Sequence, residues 1–540
     1  MTGNLPGGCG ARRSRRGAAR ALLAILLAAL LIRVVHALAA VMISPDSAVF
    51  IDYARDLSRH PLDALRSYHQ HPLYPALLLC VHPLAALLTD QGPAGWILAG
   101  RIVAIAGSLG AVAALYALAS GMYGRRRGLL AALLLAVLPD AARIGANVLS
   151  DLPHLAFYLA GLAALLAGLQ RDRRRWFALA GLAAGLAFLT RPEGASVVVV
   201  GAALLAIRVR RPLRGRLARA AILLAAFACI AGPYQLATGK LIPKKSPQAL
   251  FKLASKPGSR FAPHFQGTKS TRHVPPATCH LPFAAAALPI PVDVLRQWAR
   301  SARVVYLLLA VLGALVARPH RRGGRVLSAA IGLHILLLCA LEHSFGYLDR
   351  RHALILTALA LPPAAAGMWW LAGRISLKLR GVRAALRLRA VAGLMAGCLA
   401  VTGYWLALPI NVGEDHVRAT AAWIAAHTEP GAEIVTDDRL HRVALCADRR
   451  FVRWPWWSGD AGRLARFLKQ RESHGPCYFL VESRHMTLPE RNPRFFEDFR
   501  RTFGDRMELL HTEPAPPGAT PTEIRVYRYR PVDRVAGDRP

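Results

Sequence analysis

A few groups of residues in this chain have the types and spacing that chemistry between a hydroxyl and an anionic leaving group would need. Asp46 stands in Ser44-Pro45-Asp46-Ser47, ahead of a segment with helical periodicity, and Asp151 stands in Ser150-Asp151-Leu152-Pro153. A carboxylate in such a place can orient an attacking hydroxyl and take its proton as the transition state develops. Arg350-Arg351-His352 supplies two guanidiniums, and Lys244 and Lys245 lie in a stretch, Lys240 to Lys269, that is rich in lysine although the chain otherwise favours arginine. Cations of this kind suit a departing phosphate. His71-Pro72-Leu73-Tyr74-Pro75 and Thr190-Arg191-Pro192-Glu193-Gly194 set polar groups beside apolar runs, which makes His71, Tyr74, Arg191 and Glu193 candidates for lining a cavity. Each group also has a plainer reading. A carboxylate stabilises the first turn of a helix, Arg191 and Glu193 can simply pair, and long basic side chains can snorkel to ordinary lipid.

The elements that must hold these residues are membrane helices. The 540 residues are 54% hydrophobic with a mean hydropathy of +0.32, beyond what a soluble surface tolerates. The formal charge is +38, from 69 basic against 31 acidic residues. That excess falls in short clusters between long apolar runs, so it calls for no nucleic-acid partner. Apolar runs near 21–43, 102–122, 128–139, 155–169, 176–190, 195–207, 220–236, 303–317, 326–342, 353–373 and 390–410 predict about eleven spans, several of them short. The basic clusters 12–20, 125–127, 171–175, 208–219, 318–325 and 374–389 then all fall on one side. By the positive-inside rule that side is cytoplasmic. The N-terminus is therefore expected inside the cell, and the outer loops 44–71 and 237–300 carry Asp46 and the lysine cluster. The first run is read as a retained helix and not a cleaved signal, because it continues to Ile43 and ten more runs follow.

Residues 72–89 are apolar yet would invert the map as a span, so a re-entrant or interfacial hairpin broken by Pro83 is expected. Val49, Phe50, Tyr53, Ala54 and Leu57 share one face of the segment after Asp46, and Asp52, Arg55, Asp56 and Arg59 share the other. That pattern predicts a helix lying along the membrane surface. The tail, 411–540, changes character. Strands are expected at 433–436, 478–481 and 524–529, and helices at 414–428, 462–472 and 493–503, which makes a small α/β domain outside the membrane. Cys446 and Cys477 both lie in it. A disulfide there suits an external compartment, and two separate thiols fit equally. The expected fold class is thus a polytopic α-helical membrane protein: basic N-terminus 1–20, membrane domain 21–410, and extracytoplasmic α/β domain 411–540.

Asp46 with the DSAVFIDYARDL segment and His71-Pro72-Leu73-Tyr74-Pro75 resembles the start of the C-type membrane glycosyltransferases, among them protein O-mannosyltransferases and lipid A aminoarabinose transferases. The SDLP of Asp151, the TRPEG turn, Gly232-Pro233-Tyr234 through Lys240, and Arg350-Arg351-His352 continue the likeness across residues 20–375. The resemblance implies a multi-pass protein of the plasma (inner) membrane that moves a sugar from a polyprenyl-phosphate donor to a lipid, glycan or protein acceptor. It maps the catalytic acid of the first outer loop onto Asp46 and a second essential acid onto Asp151, and it favours inversion at the anomeric carbon. Many members carry two adjacent acids in the first motif, whereas Ser47 follows Asp46 here. No metal ligands are therefore assigned, and a divalent metal remains compatible with the pattern. A transporter or flippase for a lipid-linked anion would use the same outer cations without chemistry, and Arg33 within the first apolar run would suit either reading by facing a cavity. A scaffold would leave Asp46 and Asp151 without a role.

Overall fold

The computed structural model describes residues 8–89, 92–207, 212–239, 289–345, 348–378, 384–411, 413–454, 467, 476–482, 506–515 and 523–530. Helix α1 (Gly8–Leu38) is followed by α2 (Pro45–Arg59), α3 (Pro61–Ser67) and α4 (Leu73–Ala86). The bundle continues through α5 (Pro93–Tyr123), α6 (Arg125–Val137), the short α7 (Pro139–Ile144), α8 (Asp151–Arg171), α9 (Arg174–Thr190), α10 (Ser196–Ala206) and α11 (Leu213–Thr238). After the segment 240–288 come α12 (Pro289–Ser301), α13 (Val305–Val316), α14 (Arg321–Phe345), a 3-10 turn (Arg350–Ala353), α15 (Leu354–Lys378) and α16 (Ala384–Ala407).

Each of the eleven apolar runs is helical, but they are not eleven full spans. Among the described residues, seven helices are long and apolar enough to cross a bilayer, or eight if α12 and α13, bent by 104°, count as one. Helices α6, α9 and α10, at 13, 17 and 11 residues, fall short. At 1.5 Å per residue, none of them covers ~30 Å of hydrocarbon. Their shortness places the turns at 138–150 and 191–195 inside the bundle. Helix α4 also departs from expectation, since it runs through Pro83 to Ala86 without breaking into a hairpin. A proline so near a helix end removes only one hydrogen bond.

Arg33 faces no cavity. Its side chain is fully buried, with Nε donating to Ser108 Oγ at 2.8 Å and the guanidinium also bonded to the carbonyls of Ala136 and Leu135. It thereby satisfies carbonyls that the end of α6 leaves without intrahelical donors. Close packing fixes the next element. A side chain at Gly107 of α5 would come within 2.6 Å of Pro153, so the absence of one lets the first turn of α8 seat against α5.

The tail holds α17 (Asp415–His427), β1 (Glu433–Thr436), α18 (His441–Cys446), β2 (Arg450–Arg453), β3 (Cys477–Glu482), β4 (Met507–Pro514) and β5 (Glu523–Tyr529). Its five strands run in the order β2-β1-β3-β5-β4, parallel around β1 and antiparallel at β5, with a register shift in β4 between Leu509 and His511. The three predicted strands and the first predicted helix are present. Strands β2 and β4 and helix α18 were not foreseen, and the predicted helices at 462–472 and 493–503 lie outside the described residues. Cys446 and Cys477 are not joined by a disulfide.

Candidate active site

Helix α2 begins with an extended Ser44 and with Pro45 at its first position, where the missing N–H goes unused. Asp46 follows in the first turn. The start of α2 is anchored by Asn147, whose Nδ2 donates to Ser44 Oγ at 2.6 Å while Ser44 N donates to Asn147 Oδ1 at 3.5 Å. Asn147 lies four residues before Asp151, the first residue of α8. One side chain thus ties the segment of the first candidate acid to that of the second.

A guanidinium meets each acid. Arg351 reaches Asp46 at 2.5 Å, and Arg191 pairs with Asp151 while also approaching Glu193 at 3.4 Å. Arg351 is presented by the 3-10 turn, which Asp349 caps: its carboxylate accepts from Arg350 N at 2.5 Å, and its own N–H donates to His352 Nδ1 at 3.1 Å. Arg191 and Arg351 lie within electrostatic reach of each other, which links the pairs into one polar pocket. Burial works to discharge Arg191, but Glu193 and Asp151 outweigh it, so its guanidinium holds its proton more tightly than usual. Two histidines lie close by. His154 Nδ1 is 3.0 Å from Ala187 O, and His334 Nε2 donates to His352 O at 3.3 Å.

A second polar group lies beside this pocket. Arg303 donates to Asp140 at 2.7 Å, and Arg350 approaches the same oxygen at 3.9 Å. Arg143 stands in their field and donates to Pro409 O at 3.1 Å. Burial pushes the Asp140 carboxyl above its usual range despite these three cations. Arg350 and Arg351, read from the sequence as one clamp, therefore diverge, one toward Asp140 and the other toward Asp46.

The tail domain closes over α2. His441 Nε2 meets Asp52 at 2.6 Å, and Arg442 donates to Ile43 O at 2.8 Å. The other contacts of Arg442 are both oxygens of Glu414, at 2.6 and 2.8 Å. Asn411 donates to Met42 O at 2.7 Å. The predicted surface helix is consequently covered on its polar face as well. Its buried residues are Ser47, Ala48, Phe50, Ile51, Tyr53 and Ala54, which only partly match the expected apolar face.

Of the residues singled out from sequence, Asp46, Asp151, Arg191, Glu193 and Arg351 come together. Tyr74 is buried, and its hydroxyl donates to Gly100 O at 3.2 Å, which makes it part of the support and not of a lining. His71 is buried against Phe188 and Tyr234. Lys244 and Lys245 lie outside the described residues. Among the described residues, no three His, Cys, Asp or Glu side chains cluster to hold a metal ion. Asp140, Arg143 and Arg303 were missed. The available signal was a charged residue at the mouth of an apolar run, as in Leu138-Pro139-Asp140 and Ser301-Ala302-Arg303.

The comparisons agree with this architecture. Residues 94–233 match the family described as dolichyl-phosphate-mannose-protein mannosyltransferase. Among solved structures, ArnT from Cupriavidus metallidurans superposes with a TM-score of 0.58 at 13% identity, covering 95% of this chain and 98% of its own. The chain shares the fold of this ArnT. The same ArnT bound to undecaprenyl phosphate gives 0.57 at 14% identity, covering 96% and 99%. The oligosaccharyltransferase AglB of Archaeoglobus fulgidus, in complex with an inhibitory peptide and a dolichol-phosphate, gives 0.55 at 11% identity, covering 92% of this chain and 73% of that one. No curated protein sequence matches the chain. In this fold, Asp46 lies at the start of α2, which the tail contacts at Asp52 and, just before the helix, at Ile43.

Proposed function

We propose that the protein transfers a sugar from a polyprenyl-phosphate carrier to an acceptor hydroxyl at the extracytoplasmic face of the membrane, with inversion. The observation that carries this reading is the ion pair of Asp46 with Arg351, which joins a candidate base to a candidate phosphate ligand. The relatives with bound undecaprenyl phosphate and dolichol-phosphate support the donor class. In the reaction the acceptor oxygen forms a bond to the anomeric carbon, the bond from that carbon to the phosphate oxygen breaks, and the hydroxyl proton passes to Asp46. Arg351, with Lys244 and Lys245, balances the charge gathering on the departing polyprenyl phosphate. Without donor, Arg351 is held by Asp46 as its ion-pair partner. A donor phosphate that draws Arg351 to itself leaves the Asp46 carboxylate to the acceptor hydroxyl, so deprotonation awaits the donor. Asp151, held by Arg191, positions the acceptor. Should a divalent metal take part, Asp46 and Asp151 are the acids available to it.

The test compares wild type with Asp46→Asn in lipid nanodiscs, using a panel of polyprenyl-phosphate sugars and crude envelope as acceptor. Transfer by the wild type that falls by roughly 10²–10⁴-fold in a folded Asp46→Asn protein is the expected result. Equal transfer by both would remove Asp46 as the base. Saturable donor binding with no transfer from any donor would favour a carrier of lipid-linked anions.

A further inference from the structure

We infer that Arg143, Arg303 and Arg350, gathered around Asp140, form a binding site for a second phosphoryl group, separate from the donor phosphate that the proposed function assigns to Arg351. The argument begins with charge. Two guanidiniums, Arg303 and Arg350, reach the single carboxylate of Asp140, and a third, Arg143, lies in the field of all three groups. The neighbouring carboxylate of Asp349 is engaged with the backbone of its own turn. The Arg303–Asp140 pair is shielded from water, its side chains 9% and 6% exposed, and only Arg350 opens the cluster to solvent. Buried charge of one sign is unfavourable until a counter-charge completes it.

Hydrogen-bonding capacity points the same way. The donors Arg143 Nε and Arg303 Nε are buried without a partner among the described residues, while Asp140 Oδ2, also without one, is an acceptor and adds nothing to anion binding. The forks of Arg143 and Arg303 are each anchored at one end, to Pro409 O and Asp140. Planar forks held in this way suit the oxygens of a phosphate, which bind two or more N–H groups at once. The backbone is bent to deliver them. Arg303 and Val304 take φ of +50° and +41° at the 104° turn between α12 and α13, a conformation that side chains rarely adopt.

Position narrows the ligand. Arg303 lies over the ring of Trp405, 4.9 Å from its centroid, and Trp405 and Tyr404 are exposed near the end of α16. Aromatic residues at a span end mark the head-group level. Arg350, 44% exposed, is the open side of the cluster. The fitting group is therefore a phosphate at head-group depth, borne by a lipid or free in solution.

Native mass spectrometry of delipidated protein in detergent tests this without requiring sugar transfer, so a failure of the enzymatic reading would leave the result standing. Phosphatidylglycerol, inorganic phosphate and undecaprenyl phosphate are the probes. Arg303→Met and Arg350→Met are the variants, and Arg387→Met, beyond this cluster, is the control. Wild type and control should retain one phosphatidylglycerol or one inorganic phosphate, and each variant should bind it about tenfold more weakly. Binding should persist when undecaprenyl phosphate is saturating. Phosphatidylglycerol that excess inorganic phosphate cannot displace would identify a lipid head group, and the converse would identify a soluble phosphate; either supports the site. Wild-type binding in Arg350→Met, the exposed position least able to disturb folding, would overturn it. Displacement by undecaprenyl phosphate would equally overturn it, by making the cluster part of the donor site.

Discussion

Two polar clusters lie side by side, and they are built with opposite charge. Around Asp46 and Asp151, three carboxylates with Glu193 face the two guanidiniums of Arg191 and Arg351. Around Asp140, one carboxylate meets the guanidiniums of Arg303 and Arg350, with Arg143 in their field. Adjacent residues, Arg350 and Arg351, divide between them. The first is rich in carboxylate and the second in guanidinium. Buried charges are tolerated only when paired or destined to be paired, so the same physics that stabilises each pocket also states what it lacks.

The largest effect expected from disturbing this contrast is at Asp151. Asp151→Asn leaves Arg191 with Glu193 alone in a buried setting, and breaking such a pair is worth about 3–5 kcal/mol. Thermal unfolding in detergent should show the loss, and adding Arg191→Met should recover part of it. A double variant no better than the single would mean that the pair is not a unit. Asp140→Asn should also destabilise, by about 3 kcal/mol, but here added phosphatidylglycerol should raise the melting temperature. Equal lipid rescue of Asp151→Asn and Asp140→Asn would erase the distinction between the pockets.

A smaller effect is expected from the tail. Arg442→Met loosens the backbone at Ile43, three residues before Asp46, and small displacements of a reacting group can lower rates by up to ~10²-fold. Transfer kinetics should show a lower kcat with donor affinity kept. Loss of donor affinity alone would assign Arg442 to binding. The smallest effect is electrostatic and local. Burial pushes the Cys446 thiol up to about 11 from 9.0, against the opposing pull of Arg442 and Arg101. Between these values the unfolded chain has lost the proton that the folded chain keeps, so this thiol's contribution to stability falls as pH rises from 9 toward 11. Alkylation of Cys446 should be slow at pH 8 and quicken toward pH 11, because the thiolate is the reactive form.

Most of the framework was legible because it depends on local composition. Apolar runs give helices wherever they fall, and a short β-branched run in a polar tail gives a strand such as 433–436. Span count was less legible. Residues 128–139 and 195–207 are apolar enough for a membrane but too short to cross it, and only their neighbours decide where they end. Asp46 and Asp151 could be singled out as acids at helix mouths and Arg351 as one of two adjacent arginines, but their pairings join residues far apart in the chain. Asp140 escaped notice because it reads as the polar end of an apolar run until Arg303 is brought to it. The covered polar face of α2 was likewise invisible, since the side chains that cover it come from the tail.

That last contact has a consequence for how the protein is made. His441 and Arg442 grip Asp52 and Ile43 across 389 and 399 residues of sequence. The loop bearing Asp46 leaves the ribosome early, but the residues that fix it emerge only after the membrane bundle. During synthesis the nascent chain holds its acids without the frame that aims them, and it acquires that frame only when the tail docks. The contacts that hold Ile43 and Asp52 therefore form late, once residues some four hundred positions further on have been made.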